Sequence, residues 1–142
     1  MTRRKAFLVV MAAAPFLHAD EAQDIRDFLG QVATALSEGN VDQFMKGFDR
    51  SMQGYEMLAA NAEALVQQQN VQSSIDVLSD DGTESSRMLV LDWFLQFVEP
   101  KQDGDVTQRR EEVHCTVTRQ GKKWHITSLE PLSLFAPPAP TR

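Results

Sequence analysis

The side chains best suited to chemistry are three charged residues, Arg109, Glu111 and Glu130, in the last two segments of β-type alternation. A two-residue loop at Gln120–Gly121 pairs these segments and sets Glu111 opposite Glu130, with Arg109 beside them. Facing carboxylates oppose each other's ionisation, so one can act as an acid while the other acts as a base. The three residues are therefore candidate catalytic groups at a pocket mouth. The alternative interpretation is a solvated rim of charged strand ends.

Two aromatic residues that carry a polar group, Tyr55 and Trp93, are candidates for ligand binding. Their spacing within a helix pattern and a strand pattern directs both side chains towards the interior. Each offers a large ring and one hydrogen-bonding group, which suits either a core position or contact with a small apolar ligand. The inward-facing centre carries no carboxylate or imidazole, and a general acid or base needs a titratable group within reach of its substrate. The sequence therefore favours a binding module over an enzyme.

A third group of residues falls on the opposite face of the same predicted sheet. Pairing that matches apolar residues on the inner face sets Asp92 opposite His114, with His125 one diagonal step away. These side chains can ligate a metal only if they converge on one ion. Val90 and Phe94 share the face and make it too apolar for a free surface. We therefore predict a homodimer interface formed by Val90, Asp92, Phe94 and His114, and no metal site.

Motifs for cofactors and covalent catalysis are missing from the sequence. It contains no glycine-rich phosphate loop, no metal-ligand histidine spacing and no nucleophile elbow, so no cofactor is expected. The single cysteine, Cys115, excludes an intramolecular disulfide. Its place on an apolar strand face predicts a buried, unreactive thiol.

The elements that must position these residues follow from hydrophobic periodicity. Alternate large apolar residues predict a central strand with one fully buried face, formed by Leu89, Leu91, Trp93, Leu95 and Phe97. Three amphipathic helices precede it and begin near Asp20, Asn40 and Tyr55. One strand before it and two after it complete a four-strand meander. The predicted fold class is α+β, with three N-terminal helices packed on a curved antiparallel sheet.

The first 19 residues have the composition of a secretory signal peptide. Three basic residues at 3–5 precede an apolar run over 6–17, and Ala19 offers a small residue for cleavage. A buried helix or a membrane anchor is the alternative, but the run is short for a span. We expect a periplasmic or secreted domain over 20–135 and a disordered proline-rich tail over 136–142. The Sec and Tat routes of export both stay open.

Cleavage would make the domain strongly acidic. It removes three positive charges and takes the formal net charge from −6 to −9. An acidic surface repels phosphate backbones, so nucleic acid is not an expected partner.

Three features of the sequence together carry a family resemblance. They are the helix stripe from Ile25 to Leu36, the second helix Asn40-Val41-Asp42-Gln43-Phe44 and the closing strand Gly121-Lys122-Lys123-Trp124-His125-Ile126. In this combination the chain resembles the NTF2-like superfamily, in particular SnoaL-like and DUF4440-like members and small exported bacterial proteins of unknown function. The resemblance covers essentially the whole mature chain. It implies a cone-shaped fold, frequent dimers, and members that range from ketosteroid isomerase-like enzymes to plain binding modules.

The resemblance also implies a short strand pair between the second and third helices. Only residues 49–54 are available there, so we expect the wall of a deep pocket to be missing or reduced. Two functions are consistent with these observations. The first is an exported, non-enzymatic module that binds a small apolar ligand or a protein partner. The second is a small isomerase or hydrolase that uses the rim carboxylates.

Overall fold

Three helices and one sheet make up the structure, a computed structural model that describes residues 2–138, with side chains from residue 20 onwards. The helices are α1 (Thr2–Ser37), α2 (Val41–Met45) and α3 (Tyr55–Gln68). Asn40 caps α2, because its side-chain oxygen accepts a hydrogen bond from the backbone N–H of Gln43 at 3.1 Å. The three predicted helices are confirmed, and α1 begins upstream of the predicted start at Asp20.

The strands form one antiparallel meander in the order β1–β2–β3–β4. They are β1 (Asn70–Gly82), β2 (Ser86–Val98), β3 (Val106–Gln120) and β4 (Lys123–Glu130), and a short 3-10 turn, the C-terminal turn, follows at Leu132–Phe135. The helices pack on one side of this sheet and share its core. The predicted α+β fold class is confirmed.

The core lies between the inner face of the sheet and the apolar faces of the helices. All five alternating apolar residues of β2 are buried, and so is most of the α1 stripe. Phe135, from the C-terminal turn, packs edge-on against Trp93 with ring centroids 5.0 Å apart, and its ring lies 5.8 Å from that of Phe44. The C-terminal turn therefore supplies part of the core, a contribution that the apolar periodicity did not predict.

Two strand registers differ from the prediction. Trp93 lies opposite Glu111, not opposite Val113. In the last hairpin Val117 lies opposite Ile126, two residues beyond the predicted partner. A shift of two residues keeps every side chain on its original face. The apolar pattern could therefore predict the buried face correctly and still miss the register.

A β-bulge changes the face that the end of β4 presents. Val117 pairs with Ile126 and Thr116 pairs with Ser128, so Thr127 of β4 has no partner residue on β3. Beyond this extra residue Leu129 is buried and Glu130 is exposed. The predicted parity, which placed Glu130 on the inner face, is wrong because it assumed an unbroken strand.

The segment between α2 and α3 pairs with the outer edge of β4 through a single β-bridge. Phe48 forms a parallel bridge with Ile126. The backbone N–H of Ile126 donates to the Gly47 carbonyl at 2.8 Å, and the N–H of Asp49 donates to the Ile126 carbonyl at 2.9 Å. This bridge stands where the family resemblance implied a strand pair.

Parts of the predicted leader and tail lie outside the described residues. Residue 1, the side chains of residues 2–19 and the whole of residues 139–142 belong to that part. Cleavage after Ala19 and a domain over 20–135 therefore remain predictions. Within residues 2–138, no helix contains a segment that is long and apolar enough to span a bilayer.

Candidate functional site

The predicted catalytic carboxylates do not form a pair. Glu130 lies opposite His114, whereas Glu111 lies opposite Trp93 on the other neighbouring strand of β3. Both carboxylates are exposed. The prediction that they face each other is wrong, because the bulge in β4 and the shifted hairpin register separate them.

Arg109, the third catalytic candidate, holds the C-terminal turn. Its Nη1 donates to the backbone carbonyls of Leu134 at 2.8 Å and Ala136 at 2.6 Å, with a longer bond of 3.4 Å to Ser133. Its guanidinium also lies 5.0 Å from the centre of the Phe97 ring. One side chain thus satisfies several terminal carbonyls and ties the turn to β3.

Burial lowers the pKa of Arg109, and the nearby Glu111 carboxylate opposes that shift. A guanidinium does not lose its proton in proteins. Arg109 therefore serves as a permanent donor to the C-terminal turn, and its contacts are structural.

The concave side of the sheet is filled around Trp93. Trp93 is 0% exposed, and its Nε1 donates a hydrogen bond to the Ser73 hydroxyl at 2.9 Å. The Phe135 ring, also 0% exposed, lies against the indole. A ligand could contact Trp93 only by displacing side chains that bury it, such as Phe135. In this structure Trp93 is a core residue.

Cys115 is buried, as predicted. Burial raises the pKa of its thiol to about 12. The thiol is therefore neutral near pH 7 and lacks the ionised form that acts as a nucleophile.

The outer face of the sheet carries a row of three carboxylates. Asp92 lies opposite Asp76 on one neighbouring strand and opposite Glu112 on the other. Arg110 places its Nε 3.5 Å from Asp92 Oδ1 and its guanidinium 5.3 Å from the centre of the Phe94 ring. The prediction that Asp92 lies opposite His114 is wrong, because the register between β2 and β3 is shifted by two residues.

The two histidines of the predicted polar network lie apart on the outer face. His114 is opposite Val90 and its Nε2 lies 3.1 Å from Glu112 Oε2, while His125 is opposite Thr118 near the hairpin end. Among the described side chains, no group of three or more ligand-type residues could hold a metal ion.

A cleft of about 430 Å³ opens where α1, the end of α2 and the β3–β4 hairpin meet. We call it the hairpin cleft. Its floor is apolar and consists of Phe28 and Val32 from α1 and Trp124 from β4. A Cβ atom at Gly47 would lie 2.8 Å from Val32 Cγ2, so α2 approaches α1 this closely because residue 47 is glycine.

The rim of the hairpin cleft has charges of opposite sign on its two sides. Asp24 and Asp27 extend from α1, and three lysines line the other side: Lys46 at the end of α2, and Lys122 and Lys123 at the hairpin. Gly121, with a φ of 66°, provides the tight turn that brings the two hairpin lysines to the rim.

A second cleft, of about 610 Å³, lies next to the hairpin cleft and contains Tyr55 and Asp49. Lys46 and His125 line both clefts. Hydrogen bonds from the side chain and backbone of Ser51, with further help from Gln120 and His125, lower the pKa of Asp49. The Nδ1 atom of His125 is buried and has no hydrogen-bond partner among the described residues. The two predicted ligand-binding residues are thus separated, since Tyr55 lines this cleft and Trp93 lies in the core.

Sequence reasoning missed the hairpin cleft and identified its β4 residues only as part of a strand. The available signal was the run Lys122-Lys123-Trp124, in which two cations directly precede an aromatic residue. This run lines a cleft only because α1 and the end of α2 lie beside it. Hydrophobic periodicity does not predict that arrangement of the helices.

Comparison with solved structures shows the NTF2-like fold. A conserved protein from Planctomyces limnophilus DSM 3776 superposes with a TM-score of 0.70 at 15% identity, over 79% of this chain and 94% of that chain. An NTF-2 like protein of unknown function from Shewanella oneidensis MR-1 gives a TM-score of 0.58 at 15% identity, over 76% and 95% of the two chains. At these identities the likeness shows the fold alone.

A nuclear transport factor 2 (NTF2-like) superfamily protein from Salmonella enterica serovar Typhimurium gives a TM-score of 0.61 at 9% identity, over 79% of this chain and 89% of that chain. No protein-family model matches the sequence, and no curated protein matches it. The fold class expected from the sequence is therefore supported by structure rather than by sequence identity.

Proposed function

We propose that this protein is an exported, non-enzymatic NTF2-like binding module whose site is the hairpin cleft rather than the interior of the cone. The observation that carries the proposal is the filled interior, in which Phe135 occupies the space over Trp93. Small-molecule sites have volumes of about 300–1,000 Å³, and the hairpin cleft falls in that range. Its apolar floor suits a small apolar group, either of a free ligand or of a protein partner.

The alternative function, an isomerase or hydrolase, would use Glu111, Glu130 and Arg109. The separation of the two carboxylates and the contacts of Arg109 with the C-terminal turn both disfavour it. An activity lost in the Glu111→Gln and Glu130→Gln variants would nevertheless establish the enzyme and overturn the proposal.

A fragment screen followed by NMR tests the site. The protein has two tryptophans, so their indole N–H signals report the hairpin cleft (Trp124) and the core (Trp93) separately. We expect bound fragments to shift the Trp124 signal and leave Trp93 unchanged. Phe28→Ala should weaken binding by removing part of the floor, whereas the control variant Val98→Ala, at a half-buried position on the sheet's outer face, should not. Fragments that shift Trp93 alone would place the site inside the cone and contradict the proposal.

Self-association through the outer face of the sheet is a further part of the proposal. Val90 and Phe94 are half-buried there, and Met88 is 69% exposed, which leaves apolar surface for a partner. The row formed by Asp76, Asp92 and Glu112 opposes the contact, because two copies would bring like charges together. Salt screens such repulsion.

We therefore expect sedimentation to show a dimer that is favoured by high salt and lost in Phe94→Asp. A wild-type protein that stays monomeric at micromolar concentration in both low and high salt would contradict the predicted interface of Val90, Asp92, Phe94 and His114.

Export is proposed from the composition of the first 19 residues. Mass spectrometry of periplasmic or secreted material should find Asp20 as the first residue. Recovery of the chain with its N-terminal segment intact would contradict both the cleavage site and the proposed compartment.

A further inference from the structure

We infer that the hairpin cleft binds an organic anion that carries a flat apolar group, such as an aromatic carboxylate. The inference rests on the proposed binding function and adds the chemical class of the ligand. Three properties of the cleft support it: unpaired positive charge, negative charge that already has partners, and an aromatic floor.

The positive side of the rim carries three lysines that have no charged partner in the part of the chain that the structure describes. Lys46, Lys122 and Lys123 make no ion pair and no side-chain hydrogen bond with any described residue. They come from two separate elements, the end of α2 and the hairpin, and all three line the same cleft. An anion placed at this side of the rim would gain charge-assisted hydrogen bonds without breaking existing ones.

The negative side of the rim already has partners. Asp27 accepts a hydrogen bond from Gln23 Nε2 at 2.9 Å, and Asp24 Oδ2 lies 3.9 Å from Arg119 Nη2. A cationic ligand would have to compete with these contacts and with the three lysines. The net preference of the cleft is therefore for an anion.

The floor selects the apolar part of the ligand. Trp124 presents a mostly buried indole, and the Arg119 guanidinium lies 5.1 Å from the centre of the same ring, which fixes the ring in place. Phe28 is half-buried beside it. A flat aromatic group can pack on these rings while its charged end reaches the lysines.

Three indole compounds that differ in charge test the inference. Isotope-labelled protein is titrated with indole-3-acetate, with neutral indole-3-acetamide and with cationic tryptamine, while the Trp124 and Trp93 indole signals are followed. We expect the acetate to shift Trp124 alone and to bind up to about fivefold more tightly than the amide, since one exposed ion pair contributes at most about that factor. Tryptamine should bind more weakly than either, and added salt should weaken the acetate most.

Charge-neutralising variants assign the contacts. Lys46→Gln and Lys123→Gln should each weaken the acetate about two- to fivefold and leave the amide unchanged. Lys101→Gln is the matched control, because Lys101 is exposed and lies outside the cleft, 3.7 Å from Glu99. Circular dichroism of each variant confirms that the fold is retained.

Two results would overturn the inference, and they are distinguishable from failure of the proposed function. Equal binding of the acetate, the amide and tryptamine at Trp124 would remove the anion preference and leave the binding site in place. Absence of any Trp124 shift, from these compounds and from the fragment screen, would remove the site as well.

Discussion

Phe135 is the residue whose removal tests most directly whether the cone is closed by its own chain. Its side chain is fully buried, with ring centroids 5.0 Å from Trp93 and 5.8 Å from Phe44. Truncation of a buried phenylalanine to alanine costs about 3–5 kcal/mol, and the loss of two aromatic contacts places this site in the upper part of that range. A domain of this size has a stability of about 5–15 kcal/mol, so Phe135→Ala should leave a folded but fragile protein.

The measurement is urea unfolding followed by circular dichroism. We expect the free energy of unfolding of Phe135→Ala to fall by about 4–5 kcal/mol. The cavity that the ring leaves is lined by aromatic and aliphatic side chains, and such apolar cavities bind benzene-sized molecules. Saturating benzene should therefore restore part of the lost stability in Phe135→Ala and have no effect on the wild type.

Arg109→Met provides an independent perturbation of the same segment. It removes the hydrogen bonds to the carbonyls of Leu134 and Ala136 but leaves the Phe135 ring intact. Each hydrogen bond contributes about 0.5–1.5 kcal/mol, and those to charged groups somewhat more, so a loss of about 2–4 kcal/mol is expected. A change below about 1 kcal/mol in both variants would show that the C-terminal turn does not close the cone, and the case for a site outside the cone would fall with it.

Three further predictions concern buried or titrating groups. Arg87 is 5% exposed and forms ion pairs with Asp80 at 2.5 Å and with Glu21 at 3.4 Å. Arg87→Met should lower the free energy of unfolding in urea by about 3–5 kcal/mol, because it leaves two carboxylates unpaired. A loss below about 1 kcal/mol would refute the pairing. Because the pKa of Asp49 is lowered in the folded state, its contribution to the free energy of unfolding is present above the unfolded-state pKa and is lost as the pH falls through the folded-state pKa. Asp49→Asn should therefore make stability less dependent on pH in the acid range. An unchanged pH dependence would contradict this prediction. Burial raises the pKa of Cys115 from 9.0 to about 12, so the free energy of unfolding should fall by up to about 4 kcal/mol as the pH rises from 9 to 12. Cys115→Ala should lack this decline. An identical decline in the variant would show that other groups cause it.

The sequence was informative where one residue determines its own local structure. The apolar alternation of β2 predicted its buried face, and Asn40 predicted the start of α2, because side-chain parity and capping depend on neighbours along the chain. The register of paired strands depends on loop geometry as well, and a shift of two residues leaves the apolar pattern unchanged. The bulge at Thr127 then moved Glu130 to the other face, and no periodicity argument could place that extra residue. The candidate catalytic pair depended on both the register and the bulge, and the predicted facing of Asp92 and His114 depended on the register, which is why these predictions failed.

The position of the proposed site follows from how the chain closes its own cone. The C-terminal turn, held by Arg109, fills the interior with Phe135, while the segment after α2 contributes only the single bridge between Phe48 and Ile126 at the edge of β4. A single β-bridge covers less of the edge of β4 than the strand pair that the family resemblance implied. The hairpin end of β4 therefore remains open between α1 and α2. The hairpin cleft lies at this opening, and its three lysines are exposed there with no ion-pair partner among the described side chains. The filled interior around Trp93 and the short segment after α2 thus both favour the concavity at the hairpin, where we place the proposed binding site.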